Sequence, residues 1–416
     1  MKLNNIKVAL VGASMLVGIQ LNAQKSNIVS AAVEYKKYEP AFYSQKFDEA
    51  KQVLLNSKEF LDPAMKEENL NDLGSKDFEK AHYYNAIIHF GLVELSSLED
   101  NDDLKQFQSE ETMKEIKESL KIAYESRKFK RDVEDFIDKK VQMARTIGKT
   151  YFDKKEFDLA YAGFAGAYEL QKMIDIEDDE MKNNALISAK NEIASLKDEG
   201  KNDEALEFII STRDVFPKNA DLAIEGVNIS LDQGDMDKAE EFFEAAAEAD
   251  PDNKLLFSSM GSIYLENADK AYAEMREMEI SDEGYANKSD EVEELYKKAE
   301  NNLKKAIEID PEYVDASYNL GVLYLGRGEK LTSAANQMDY NDPSYDATLK
   351  RSEEMYKKAI APLEVYIEQD PNNVGVLNVL FQVHRRAGNS EKALEYKKRA
   401  EEAAAEDGQN QEQEGE

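Results

Sequence analysis

The spacing of four prolines constrains the fold of this chain more than any other feature. Each proline follows an apolar stretch with helical periodicity, and successive ones are separated by 34, 60 and 60 residues. These prolines are Pro217, Pro251, Pro311 and Pro371. A period of 34 residues is typical of units made of two helices joined by a short turn. The spacing therefore predicts an array of helix pairs, because a single helical bundle has no reason to repeat residues at fixed offsets.

The unit at 220–253 shows which positions recur. Small residues on its first helix let two helices approach closely, and larger residues fill the gap to the neighbouring unit. The first-helix positions are Ala223, Gly226, Val227 and Ser230, and the second-helix positions are Ala239, Phe243 and Ala246. Gly234 and Asp235 predict the turn and the start of the second helix.

This pattern of small, aromatic and alanine positions with a closing proline resembles the tetratricopeptide repeat (TPR) family. It recurs over most of residues 30–404, with two weaker units before residue 141. The clearer units are 141–174, 186–219, 220–253, 254–313, 314–373 and 374–404. The resemblance implies an all-α fold, a TPR right-handed superhelix (α-solenoid) of antiparallel helix pairs, with about eight units. One departure is that the chain holds no Trp, a residue that often fills the family's first bulky position.

The two 60-residue units carry matched insertions of 26 residues between their helices. Residues that correspond at the 60-residue offset include Lys270/Lys330, Met278/Met338 and Tyr285/Tyr345. The insertions predict two neighbouring elongated helical hairpins, which form a binding face or pack against each other through these Met and Tyr side chains. We favour packing, because a long hairpin needs a core of its own. Pro362 predicts a kink in the last lengthened helix.

The first residues have the pattern of a secretory signal peptide. Lys2 and Lys7 precede an apolar run at 8–19, and the predicted cut follows Ala23. We therefore expect export to the periplasm of a diderm bacterium, or to its surface or surroundings. A chain without Cys needs no disulfides there.

These patterns together divide the chain into six segments. They are a signal peptide at 1–23, divergent TPR-like units at 24–140, regular units at 141–253, two units with insertions at 254–373, a terminal unit at 374–404 and a disordered acidic tail at 405–416.

Charge and composition exclude several functional classes. The chain has 86 Asp and Glu against 53 Lys and Arg, a net charge of −33, which argues against binding to nucleic acid or directly to anionic membranes. Without Cys there is no thiol catalysis and no Cys-ligated metal. No nucleotide-binding or nucleophile motif is present. We therefore expect no cofactor, no metal and no enzymatic activity.

The resemblance places the candidate binding residues on the first helices, which line the concave groove of such arrays. These residues are Arg145, Lys149, Lys190, Asn191, Lys197, Asn228, Tyr318, Asn319, Asn378, Gln382 and Arg385. Four of the five basic residues in this set partly resemble the clamp that some TPR proteins use for a peptide carboxylate; they are Arg145, Lys149, Lys190 and Lys197. Asp221 and Glu225 break that match. The alternative is that these cations are solvated and paired with neighbouring acids.

The expected function is a protein–protein interaction scaffold or adaptor in the cell envelope, which binds a peptide or protein partner along the groove or the elongated hairpins. One alternative is a holdase-like assembly factor for exported or outer-membrane clients. Another is a metal-dependent or catalytic role near His82 and His89, which are seven residues apart on one helix face.

Overall fold

In the computed structural model, residues 22–98, 102–278 and 283–414 are described, and every regular element within these ranges is a helix. The predicted all-α fold class is confirmed. The chain divides into two compact units, Met1–Ala205 and Leu206–Glu416. Most of the predicted signal peptide lies outside the described residues. No helix in the described ranges is both long and apolar enough to cross a membrane.

The first unit consists of successive helices that pack against their neighbours in sequence. They are α1 (22–35), α2 (Tyr38–Tyr43), α3 (Phe47–Met65), α4 (Glu67–Leu70), α5 (Ser75–Leu98), α6 (Asp102–Lys105), α7 (Glu110–Glu125), α8 (Lys130–Lys154), α9 (Phe157–Lys172) and α10 (Asp179–Asp198). Helix α11 (Asn202–Ser211) spans the junction between the units. Contacts join α3 to α5, α5 to α7, α8 to α9 and α9 to α10, so each helix buries its apolar face against the next.

The second unit holds the clearest helix pairs. Its helices are α12 (Ala220–Asp232), α13 (Met236–Ala249), α14 (Lys254–Arg276), α15 (Tyr285–Ile309), α16 (Val314–Gln337), α17 (Tyr345–Gln369), α18 (Val374–Arg386) and α19 (Ser390–Glu414). They pack as the pairs α12–α13, α14–α15, α16–α17 and α18–α19. The predicted elongated hairpins are therefore α14–α15 and α16–α17.

The turns inside the pairs follow from residues that the sequence singles out. Gly234 and Gly388 end the first helices of two pairs with φ of +76° and +83°, a left-handed conformation that glycine adopts without steric cost. The next residue, Asp235, caps the N-terminus of α13, and its Oδ1 accepts a hydrogen bond from the backbone N–H of Lys238 at 3.0 Å.

The 60-residue offset between the two hairpins is reproduced in their packing. A Cβ added to Gly261 would lie 2.7 Å from Leu303 Cγ, and one added to Gly321 would lie 2.6 Å from Leu363 Cγ. Both glycines therefore let α14 and α16 approach their partner helices at the same position in each repeat. In the pair α12–α13, the ring packed against Gly226 is that of Phe242.

Two sequence expectations concern helix ends and interruptions. The tail expected to be disordered from residue 405 is instead helical as far as Glu414. Its Ala, Glu and Gln residues favour helix, which explains the extension. Pro362 lies inside α17, and the helix continues to Gln369.

Candidate protein-interaction surfaces

Two of the predicted groove residues, Tyr318 and Asn319, lie together on α16, the first helix of the second elongated hairpin. Asn319 on α16 donates a hydrogen bond from Nδ2 to Ser262 Oγ on α14 at 2.8 Å. The ring centroid of Tyr318 lies 5.1 Å from that of Tyr366 on α17. Both side chains are half-buried and line an open cavity of about 470 Å³. We call this polar surface, formed by Ser258, Ser262, Tyr318 and Asn319, the α14–α16 shelf.

The remaining predicted groove residues of the second unit lie on two other first helices. Asn228 is exposed on α12, and three exposed residues, Asn378, Gln382 and Arg385, lie on α18. The guanidinium of Arg385 lies 5.5 Å from the ring centroid of Phe381 on its own helix. This side chain therefore has an aromatic contact within reach of solvent.

In the first unit, the predicted basic residues lie on α8 and α10. Arg145 on α8 forms an ion pair with Glu180 on α10. Lys149 and Lys190 are exposed, whereas Asn191 and Lys197 are half-buried. Lys190 and Lys197 also make contacts within the protein. For Arg145 the structure thus shows the pairing with a neighbouring acid that was the alternative to a binding role.

A second surface, which the sequence did not assign to particular residues, is a cleft between the elongated hairpins. It has a volume of about 740 Å³ and receives side chains from α14, α15, α16 and α17. Aromatic and apolar lining residues are Tyr272, Met275, Met278, Tyr285, Val292, Tyr296, Leu331 and Ala334. Charged lining residues are Arg276, Glu293, Arg327, Lys330 and Arg351. We call it the hairpin cleft.

One wall of the hairpin cleft is held by contacts between the hairpins. Lys330 Nζ on α16 lies 2.6 Å from Asp269 Oδ1 on α14, which also accepts a hydrogen bond from the Tyr296 hydroxyl at 2.6 Å. The same Nζ lies 5.0 Å and 5.1 Å from the ring centroids of Tyr272 and Tyr296. Burial and the neighbouring carboxylate raise the pKa of Tyr296 well above its usual value, so its hydroxyl remains a donor.

The Met and Tyr side chains that the sequence expects between the hairpins lie in two different places. Met278 and Tyr285 line the hairpin cleft together with residues of α16. In the second hairpin, Ser344 Oγ lies 3.7 Å from Met338 Sδ, and the Tyr345 ring lies 5.5 Å from that of Tyr340, both within one turn region. The ion pair between Lys330 and Asp269 also links the two hairpins. The sequence does not reveal this link, because the two residues are 61 positions apart.

The two histidines of the alternative metal or catalytic hypothesis are buried on α5. His82 Nδ1 lies 3.1 Å from Ser119 Oγ on α7, and His89 Nδ1 lies 2.9 Å from the backbone oxygen of Asn85. Burial lowers the pKa of His82. These contacts explain both rings as parts of helix packing. Within the described ranges, no group of three or more His, Cys, Asp or Glu side chains is placed to hold a metal ion.

Comparisons with known proteins identify the repeats. Residues 196–263 match the profile of a tetratricopeptide repeat, and residues 295–328 match that of a TPR repeat. No curated protein matches the sequence.

Several solved structures are similar to parts of the chain. A TPR repeats protein (BF2334) from Bacteroides fragilis is 20% identical, with a TM-score of 0.38 over 59% of this chain and 98% of that chain. YrrB, a TPR protein with an unusual peptide-binding site, is 18% identical, with a TM-score of 0.33 over 52% of this chain and 85% of its own. MamA is 17% identical, with a TM-score of 0.31 over 52% of this chain and 96% of its own.

Proposed function

Because the chain is a tetratricopeptide-repeat protein, we propose that it is a non-enzymatic scaffold or adaptor that binds a peptide or protein partner in the bacterial cell envelope. The repeats match family profiles at residues 196–263 and 295–328. Helix pairs bury their apolar faces against each other. The opposite faces of their first helices, which line the groove in such arrays, remain available for another polypeptide.

The observation that carries this proposal is the α14–α16 shelf. Its Asn319 side chain is held by Ser262 at 2.8 Å, and its Tyr318 ring packs on Tyr366. Side chains fixed in this way lose little conformational entropy when a partner binds. Asn and Tyr can also hydrogen-bond to the backbone of an extended segment. The shelf therefore suits recognition of a polypeptide.

The envelope location is supported by the amino-terminal sequence. Lys2, Lys7 and the apolar run that follows have the charge and length of a secretory leader, and the whole chain lacks Cys. Fractionation of the native bacterium, with detection of the mature amino terminus, tests this part separately. A cytoplasmic protein that retains residues 1–23 contradicts it.

Crosslinking in the native cells tests the binding role. A photoreactive amino acid placed at Tyr318 should trap a defined envelope protein, and the same substitution at Glu308, exposed on α15, should not. Asn319→Ala should weaken the Tyr318 crosslink, because the shelf loses an amide that is fixed by Ser262. Equal trapping at Tyr318 and Glu308 would contradict a role for this surface.

The holdase-like alternative predicts a different property of the pure protein. A holdase suppresses the aggregation of unrelated unfolded clients, whereas a scaffold binds a folded or short partner selectively. Light scattering of a heat-unfolded client with and without the protein separates the two functions.

A further inference from the structure

The charge of the hairpin cleft is opposite to that of the whole chain. The chain has 86 acidic and 53 basic residues. The cleft lining contains four basic side chains and one acidic side chain. The basic residues are Arg276, Arg327, Lys330 and Arg351. An acidic surface repels an anionic partner, whereas a basic site within it attracts that partner. The basic site therefore determines where an anionic partner docks.

The four cations have two different roles. Arg327 lies 2.5 Å from Glu293 and 3.8 Å from Glu300, and Lys330 is paired with Asp269, so these two tie the hairpins together. Arg276 and Arg351 are both exposed. Within the described ranges, the ion pairs do not include either of them. They lie on α14 and α17, at the rim of the cleft, and their charges remain available to an anion.

Beside these two arginines, the cleft lining includes apolar and aromatic side chains. Tyr272 and Met275 from α14, Val292 from α15, and Leu331 and Ala334 from α16 contribute to it. A volume of about 740 Å³ falls within the range of pockets that enclose drug-sized groups, about 300–1,000 Å³. Flexible Met side chains adapt to partners of different shape. The cleft thus combines apolar and aromatic side chains, which we call its floor, with the exposed cations of Arg276 and Arg351 at its rim.

We propose that the hairpin cleft binds an acidic peptide segment of a partner protein, which inserts large apolar side chains onto the floor and places its carboxylates against Arg276 and Arg351. Apolar anchors supply most of the binding free energy in such sites, and charges at the rim supply orientation and selectivity. This inference rests on the proposed scaffold function and names one of its surfaces and the chemistry of the occupant.

The test uses the full mature chain and three fluorescein-labelled synthetic peptides. The first alternates Glu with Leu and Phe. The second replaces Leu and Phe by Ser, and the third replaces Glu by Lys. Fluorescence anisotropy should show that only the first binds, and that its binding weakens as salt rises, since exposed charges are screened. Equal binding of the first two peptides shows general attraction of anions and overturns the proposal, as does preference for the Lys peptide.

Variants locate the binding. Arg276→Glu/Arg351→Glu should weaken the first peptide by roughly tenfold or more. Lys270→Glu/Lys350→Glu is the matched control, because it makes the same charge change at exposed positions of α14 and α17 that do not line the cleft. A similar loss in both variants would show a long-range charge effect and overturn the assignment.

A third variant tests the floor without changing charge. Ser333 is exposed and lines the cleft, so Ser333→Trp fills part of its volume with little effect on the core. This variant should lose the peptide while its circular dichroism stays unchanged. If it keeps full affinity, the cleft is not the site. If no peptide binds, yet Tyr318 still crosslinks its envelope partner, the scaffold function stands and this inference falls.

Discussion

Lys140 on α8 bonds both carboxylate oxygens of Glu94 on α5, each at 2.6 Å, with side chains that are only 9% and 13% exposed. The Tyr38 hydroxyl donates to the same carboxylate at 2.8 Å. The rings of Phe42 and Phe90 lie 5.5 Å and 5.4 Å from Lys140 Nζ. A single carboxylate therefore joins α2, α5 and α8 inside the first unit.

Loss of one member of this pair should destabilise the first unit strongly. Lys140→Met leaves the Glu94 charge buried without its cation, and breaking a buried pair in this way costs about 3–5 kcal/mol. The double variant Lys140→Met/Glu94→Gln removes both charges and should recover part of the loss. Denaturant unfolding measures the three free energies. Strictly additive losses would show that the two charges are not coupled.

Two glycines of α16 should respond to alanine in opposite ways. At Gly321 a Cβ would lie 2.6 Å from Leu363 Cγ, so Gly321→Ala overpacks the core and should cost about 1–3 kcal/mol. At Gly326 the nearest atom is the flexible Lys330 Nζ at 3.7 Å, so Gly326→Ala should stabilise the helix by about 0.5–1 kcal/mol. Thermal unfolding of both variants tests the close approach. Stabilisation by both would contradict it.

The buried His82 should make stability depend on pH. Burial lowers its pKa in the folded state, although Glu115 opposes the shift. The unfolded chain therefore takes up the proton first, at about pH 6.5. The stability contributed by the neutral ring is complete above that pH and is lost as the pH falls toward the lower folded pKa.

His82→Gln isolates this effect from the many acids that titrate in the same chain. Unfolding free energies measured between about pH 7.5 and 5 should fall more steeply in the unmodified protein than in the variant. Parallel curves for the two proteins would show that the imidazole is not responsible.

The basic residues of α10 give a test of the groove in the first unit. Lys190→Glu/Lys197→Glu should weaken capture of the native envelope partner identified by crosslinking, if that partner is acidic there. Lys114→Glu/Lys121→Glu on α7 repeats the charge change at the same seven-residue spacing, on side chains that are 76% and 49% exposed. Unchanged capture by the α10 variant assigns these lysines to surface pairing.

The sequence predicts the helix pairs and hairpins because their signals are local or periodic. Gly261 and Gly321 recur at an offset of 60 residues, and Leu303 and Leu363 follow at the same offset, so the close approach within each hairpin can be read from the repeat. The sequence analysis named Phe243 alone and missed Phe242, although adjacent helical residues differ by about 100° in direction. The structure shows that Phe242 packs against Gly226 and that Phe243 reaches Phe257 of the next pair.

The hairpin cleft was beyond sequence analysis for a different reason. Arg276 and Arg351 come from helices of different repeats, and their proximity depends on how α16 lies on α14 and α15. The tie between Lys330 and Asp269 fixes that arrangement. Periodicity shows that Lys270 and Lys330 correspond, but Lys270 pairs with Glu266 on its own helix. Equivalent residues therefore have different partners in the two repeats.

The different partners of Lys270 and Lys330 indicate how a third long hairpin would be tied to the second. Lys330 reaches back to Asp269, and the residue that corresponds to Asp269 in the second hairpin is the exposed Glu329. An extra copy of 314–373 spliced in after residue 373 would bring its own lysine toward Glu329. We therefore expect Glu329 to pair with the lysine of an added hairpin, as Asp269 pairs with Lys330.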